Sequence, residues 1–371
     1  MSASPLATVA PRDVLVIVTR RIGDVLLATP LIRSLKAAWP AAAIDALVFE
    51  GTQGALEGNE DLRRVIAVPQ RPGLGRHAAL LASLARRYDL ALSLVPGDRP
   101  TLYAYVAGRR RAGLLSATRK EAWKRALLDA WAPFDNLDTH TVRMHLALAG
   151  LLGIQAASDI GVAWRRDDAR RVDRMIGTVP AQRLAVFHPY PRYRYKMWPL
   201  EHWARLGEAL AARHYRIALT GGAEASEMAY LAELAAKLPG GTVNASGQLT
   251  LGASAYLVSR ATVYVGTDTA MTHAAAALGV PTVALFGPSN PVKWGPWPRG
   301  HDPARNPWRR CGSQRAGNVA LVQNAQACVP CLLEGCDRHV NSDSDCLLAL
   351  PPEKVLLAVE AFEREGVVAP L

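Results

Sequence analysis

Residues 265–291, VGTDTAMTHAAAALGVPTVALFGPSNP, hold the densest run of groups able to do chemistry. A strand is expected to end at Val265, with Gly266 permitting a tight turn and Asp268 or Thr269 capping the helix that follows. Free N–H groups at Thr269, Ala270 and Met271 would then sit at the positive end of a helix dipole, an arrangement that binds pyrophosphates. Ala270 is small enough for a phosphate to approach the backbone, and Gly279 followed by Pro281 ends the helix. The competing reading is an ordinary strand–helix–strand unit without a ligand, in which His273 is a packed core histidine. A second segment, LTGGAEASE at 219–227, sets Gly221 and Gly222 at a strand end where a base or ribose can lie against the backbone. Glu224 can accept hydrogen bonds from ribose hydroxyls, or is simply a first-turn acid favoured by the dipole.

Asp24 lies in VLVIVTRRIGDVLLATP, residues 14–30, after the first strand and a short basic loop. It is therefore placed at the C-terminal edge of a strand, where it either faces a ligand or caps a turn and pairs with Arg20 or Arg21. These arginines can hold phosphate, and their charge favours the ionised carboxylate. All five cysteines are late, and Cys328, Cys331, Cys336 and Cys346 are spaced to supply four thiolates to a structural zinc or an iron–sulfur cluster. Reduced, metal-free thiols are the alternative. Asp343-Ser344-Asp345 matches a divalent-ion pattern but reads as a solvated turn in the cysteine loop. The stretch 109–125, RRRAGLLSATRKEAWKR, is basic and contains an aromatic. It suits a phosphorylated lipid head group or the anionic inner membrane face. The roughly helical spacing of Trp123, Leu127, Leu128 and Trp131 points instead to core packing of the aromatics.

These groups need a frame. The chain has 371 residues, half of them hydrophobic, which is ample for two domains. Its 43 Lys and Arg against 32 Asp and Glu favour anionic partners. No signature of a nucleic-acid-binding fold is present, so nucleic acid is not an expected partner. No apolar run is long enough to span a membrane. The first ten residues read as a loose tail and not a signal peptide. Strands are expected at 14–18, 44–49, 65–68 and 90–95, with helices at 29–38, 74–87, from about residue 100, and at 141–152. After a polar break at 165–174 the rhythm restarts. Strands are expected at 184–187, 216–220, 262–265 and 282–286, with helices at 201–213, 223–237, 269–278 and 352–364. Repeated β-α-β units make parallel sheets covered by helices. The expected division is a first Rossmann-like domain over 1–165, a second over 175–350 that includes the cysteine-rich loop, and a last helix over 351–371. Ligands should bind at strand C-terminal ends, in the crevice between the domains.

The segment 265–291 closely resembles the C-terminal signature of glycosyltransferase family 9, the ADP-heptose:lipopolysaccharide heptosyltransferases. FHPYPRYRYKMWPLEHW, residues 187–203, is similar to the family segment that ends in Lys-x-Trp-Pro, and 14–30 is similar to its N-terminal motif. The resemblance implies an α/β fold of the GT-B type, with two Rossmann-like domains facing a cleft. It implies that Gly266, Asp268, Thr269, Ala270, Met271 and His273, with Gly221 and Glu224, bind the nucleotide-sugar donor. Lys196 would be the cation beside the diphosphate, where a preorganised charge stabilises the leaving group. Asp24 would be the general base that takes the proton of the acceptor hydroxyl. Direct displacement would invert the anomeric centre, through an oxocarbenium-like transition state.

The implied activity is transfer of heptose from ADP-heptose to phosphorylated lipopolysaccharide core. It would take place in the cytoplasm, with peripheral contact at the inner membrane, and need no catalytic cofactor. The cysteine tail, similar to tails of some family members, leans toward a later-acting core heptosyltransferase. Two alternatives stay open: a relative using another nucleotide sugar, and a nucleotide-sugar binding protein without turnover. A sugar-nucleotide epimerase is a third, and it would need no acceptor.

Overall fold

Five consecutive apolar residues, Val14 to Val18, are wholly inaccessible to solvent. Such an unbroken apolar run, β-branched but for Leu15, suits a central parallel strand covered on both faces. The computed structural model describes residues 10–177 and 183–366, and the N-terminal tail at residues 1–9 lies outside them. The chain divides into two compact units. One runs to Ala163 and includes Asp302–Asn306; the other comprises Trp164–His301 and the chain from Pro307. Arg143 Nε donates to the Pro303 carbonyl at 3.1 Å, which ties that short excursion to the first unit.

The first unit runs β1 (Asp13–Val18), α1 (Ile22–Leu26), α2 (Thr29–Ala38), β2 (Ala43–Phe49), β3 (Arg64–Val68), α3 (Leu74–Leu84), β4 (Tyr88–Ser93), α4 (Asp98–Ala107), β5 (Gly108–Leu115), α5 (Ala122–Arg125), β6 (Ala130–Pro133) and α6 (Thr141–Leu151). Its strands form one sheet in the order β3-β2-β1-β4-β5-β6, every pair parallel. The order reverses beside β1, so the loop after β1 is where a ligand is expected on such a sheet. That loop carries Arg20 and Arg21, and Asp24 follows in the first turn of α1. The structure corrects the helical reading around residue 123. The chain there is strand β5, a short turn of helix and strand β6. Trp123 is 52% exposed, and Trp131 lies on β6 under the Arg125 guanidinium. Three arginines in succession at 109–111 had hidden the strand, because β5 is apolar only in its second half.

The second unit runs α7 (Arg166–Ile176), β7 (Arg183–His188), α8 (Leu200–Ala211), β8 (Tyr215–Leu219), α9 (Ala225–Lys237), β9 (Val243–Asn244), α10 (Leu251–Ser259), β10 (Val263–Thr267), α11 (Ala270–Ala277), β11 (Thr282–Leu285), α12 (Pro291–Trp294), β12 (Gln314–Ala316), β13 (Val319–Val322), α13 (Asp345–Leu348) and α14 (Pro352–Arg364). The sheet order is β12-β13-β11-β10-β7-β8-β9, parallel except for β12. Here the order reverses between β7 and β10, and the loops leaving these strands carry Lys196 and Asp268. The core beneath them includes Phe187, Trp198 and Trp203, all inaccessible. Trp198 packs edge-on against Trp203 at 4.9 Å and donates its indole N–H to the Leu350 carbonyl at 2.8 Å. The loop bearing Lys196 is thus fixed two residues downstream by a buried ring.

The polar break at 165–174 is in fact helix α7, which buries only Val172. Its polarity is spent on local and tertiary bonds. Asp168 accepts from the Arg165 backbone N–H and from the Thr250 hydroxyl, and Tyr256 donates to Asp173. Helix α14 belongs to the second unit, where Val355, Val359 and Phe362 join the core. Glu363 on α14 receives Arg183, Arg213 and Tyr215, so the helix is pinned by charge as well as by apolar burial.

Candidate functional site

Strand β10 delivers Thr267 and Asp268 to the edge of the second sheet, and Thr269 is the N-cap of α11. Neither expected cap forms: Thr269 makes no side-chain cap bond, and its hydroxyl lies 3.2 Å from that of Thr272. Asp268 turns instead to Lys196, whose ammonium donates to it at 2.5 Å. The pair is largely enclosed, with side-chain exposures of 18% and 9%. Burial works against the Asp268 carboxylate, but Lys196, His273 and a hydrogen bond from Ser289 hold it below the ordinary carboxylate range.

His273 lies one turn into α11 and is 4% exposed. Burial pushes its pKa down to about 4 despite the nearby Asp268 charge, so the ring is neutral near pH 7. Among the described residues its Nδ1 and the buried Thr267 hydroxyl have no hydrogen-bond partner, where buried polar atoms are normally paired. The first turn of α11 adds N–H groups that no helical carbonyl can reach. Ala270 is half-buried and Met271 buried at this end. The ensemble can hold a polyanion against N–H groups and one cation, in surroundings where charge is weakly screened.

Gly266 is not in a turn. It lies within β10, and a Cβ there would meet the Tyr264 hydroxyl at 2.3 Å. The glycine makes room for Tyr264, whose hydroxyl sits 3.0 Å from that of Thr272 on α11. Gly279 does close α11, with φ +80°. Gly221 follows the end of β8, and a Cβ on it would strike Leu231 of α9 at 2.2 Å. Glu224 is the N-cap of α9; its side chain is exposed and caps nothing. The carboxylate that engages the glycines is Glu227, which accepts from the Gly222 N–H at 2.7 Å. Sequence reasoning missed it, although an acid three residues past an N-cap is a recognisable first-turn signal. It also missed His188, whose Nδ1 lies 2.9 Å from the Thr220 hydroxyl.

In the first unit Asp24 sits in the first turn of α1 and accepts from the Arg21 backbone N–H at 3.3 Å. It is half-buried, while Arg20 and Arg21 are exposed. The basic stretch at 109–125 is divided between strand and loop. Lys124 is buried between Asp98 and Glu121, and Arg111 engages Asp129.

In the cysteine segment Asp343, 42% exposed, takes two guanidinium bonds from Arg194, Ser344 is buried and Asp345 is exposed. Cys346 is buried, and its thiol is pushed up to about 12 by burial and by the neighbouring Cys331, Cys328 and Cys336. Among the described residues, no group of three or more His, Cys, Asp or Glu is arranged to hold a metal ion. No helix among the described residues is long and apolar enough to cross a membrane.

The chain as a whole is similar to known glycosyltransferases. The model of "Glycosyltransferase family 9 (heptosyltransferase)" matches residues 78–316. Lipopolysaccharide heptosyltransferase 3 of Escherichia coli strain K12 is 27% identical over 74% of this chain and 82% of its own length. The solved family 9 glycosyl transferase of Veillonella parvula superposes with a TM-score of 0.77 at 19% identity, covering 98% of this chain and 99% of that one. The solved ADP-heptose lps heptosyltransferase II of E. coli gives 0.72 at 20% identity, covering 96% and 99%. With most of its length matched and both sheets of the expected kind, the chain belongs to glycosyltransferase family 9 and is a glycosyltransferase of the GT-B fold.

Proposed function

We propose that this chain transfers heptose from ADP-heptose to the phosphorylated core of lipopolysaccharide. The observation that carries the reading is the enclosed cluster of Lys196, Asp268 and His273 at the N-terminal end of α11. In this reading the donor diphosphate lies against the first turn of α11. Lys196 neutralises the charge that grows on the leaving ADP, and a fixed cation in a weakly screened pocket does so without reorganising. Thr269, Ala270 and Met271 contact phosphate, while Asp268 and His273 lie on the sugar side. Gly266 shapes the strand that presents them, and Gly221 and Glu224 lie on the nucleoside side.

Asp24 is the general base, and Arg20 and Arg21 hold a phosphate of donor or acceptor. Attack by the acceptor hydroxyl forms the new C–O bond as the bond to ADP breaks, with inversion at the anomeric carbon. Relatives named as lipopolysaccharide heptosyltransferases support this choice of donor and acceptor. The acceptor implies work at the cytoplasmic face of the inner membrane, where Trp123 and the exposed cations around it would meet anionic lipid. No step runs through a metal. A structural zinc or iron–sulfur cluster on Cys328, Cys331, Cys336 and Cys346 would need the thiols to converge further, and metal analysis of the purified protein tests it.

Incubation with ADP-heptose and truncated core lipopolysaccharide should release ADP only when acceptor is present. Release or isomerisation without acceptor would favour a different activity. Asp24→Asn should retain ADP binding and lose turnover by about a hundredfold or more, the usual scale for a lost general base. Undiminished turnover would remove Asp24 from that role.

A further inference from the structure

Lys196 ends a single turn of 3-10 helix, Arg194–Lys196. Both residues preceding it in that turn are held by the cysteine segment, about 150 residues downstream. Arg194 donates from Nε and one terminal nitrogen to the two oxygens of Asp343, at 2.8 and 2.9 Å. A planar fork on a carboxylate fixes direction as well as distance. The Ser344 hydroxyl donates to the Tyr195 carbonyl at 2.7 Å. Ser344 is the N-cap of α13, a place where serine ordinarily accepts from the helix it starts. It makes no such bond here, and its hydroxyl is committed to the turn that bears Lys196.

Asp343 is itself fixed from behind. Its carbonyl accepts from the Cys336 N–H and from the Ser342 hydroxyl, each at 2.9 Å. The Asp345 N–H donates to Cys336 Sγ at 3.4 Å. Gly335, at φ +85°, lets the hairpin close, since a Cβ would meet Ser342 Oγ at 2.5 Å. The same segment braces the other wall of the cluster. The Leu332 N–H donates to the Pro288 carbonyl at 2.9 Å, and Cys346 and Leu347 fill the space beside Gly287. Ser289, which bonds Asp268, is the next residue in that wall.

We infer that Asp343 and Ser344 are positioning residues for Lys196, holding its turn so that the ammonium projects to the N-terminal end of α11. The inference rests on the reading of Lys196 as the cation of the donor diphosphate. The cysteine segment is then a brace for the donor site, and its length and sequence are explained by the two walls it must reach.

A double-mutant cycle read by ADP binding tests this. Alone, Asp343→Ala should weaken ADP by roughly three- to tenfold, the lower part of the range of coupling within one network, as suits a solvent-exposed pair. In a Lys196→Ala background the same change should cost nothing further, because the group it positions is gone. Asp343→Asn and Ser344→Ala, run in parallel, cover the event that the first variant does not fold. Each should raise the KM for the ADP-sugar more than it lowers the melting temperature would account for. An equal cost in both backgrounds, or no cost in the parent, overturns the positioning role. Should Lys196→Ala leave ADP affinity unchanged, the diphosphate reading fails first and takes this inference with it.

Discussion

At the scale of single residues, the Lys196–Asp268 pair sets the terms on which an anion can enter. The ammonium is neutralised by a carboxylate at 2.5 Å in a mostly enclosed place. A diphosphate arriving at α11 must share that cation with Asp268 and accept the repulsion of its charge. Asp268→Asn removes the competitor while keeping the shape. ADP should then bind more tightly, by about three- to tenfold, since each 1.4 kcal/mol is a factor of ten. Sugar transfer should fall in the proposed reading, because the carboxylate that directs Lys196 is gone. Calorimetric titration with ADP decides the first half; weaker binding by the Asn variant would mean that Asp268 serves the diphosphate and does not compete with it. The site was partly legible before folding was known. Asp268, Lys196 and His273 lie in runs whose neighbours carry a family pattern, and the fold brings all three together. Glu227, Ser289 and Asp343 were not legible, because their roles come from partners that only the packed chain supplies.

At the scale of elements, β10 and α11 form one device, and Gly266 is its least replaceable part. Tyr264 and Gly266 lie on the same side of the strand, two residues apart. The Tyr264 ring covers the space where a Cβ would be, and its hydroxyl reaches Thr272 on α11. Gly266→Ala forces the fully buried ring aside and loosens the start of the helix. Overpacking of this kind costs about 1–3 kcal/mol. We expect a lower melting temperature together with weaker ADP binding, and Tyr264→Phe combined with Gly266→Ala should recover part of both by removing the clashing hydroxyl. An alanine variant as stable as the parent would show that the strand can shift freely. Reading a tight turn from this glycine was natural, since strand-end glycines usually mean backbone geometry; here the need was for space. Helix α7 escaped detection for the opposite reason. It is held by Asp168, Asp173 and their hydroxyl partners, with one buried valine, so it carries no apolar stripe to see.

At the scale of the whole molecule, the two sheets were legible because each is written as alternating buried strands and amphipathic helices with short connections. The segment at 311–346 was not, because it has little regular structure and its meaning lies in contacts such as Arg194 with Asp343, far apart in sequence. The second unit also contains a feature that couples its stability to pH. His273 is enclosed with Asp268 and Lys196 facing it, and its pKa lies near 4, well below the ordinary value of 6.5. An unfolded chain takes up the proton at higher pH than the folded one does. The stability this confers is complete above about pH 6.5 and is lost as pH falls through the folded value near 4. His188 is also depressed to about 4 by burial, and its contribution is common to the parent and to any variant at position 273. The Asp268 carboxylate, held below its ordinary range, matters only at lower pH still. Between about pH 7.5 and about pH 5, His273 should account for a loss of roughly 2 kcal/mol. Denaturation of the second unit, followed at both pH values, should therefore show a smaller drop for His273→Gln than for the parent. Equal drops would mean that the ring gains a proton without opening the structure, and the neutral histidine could not then be a fixed part of the donor site.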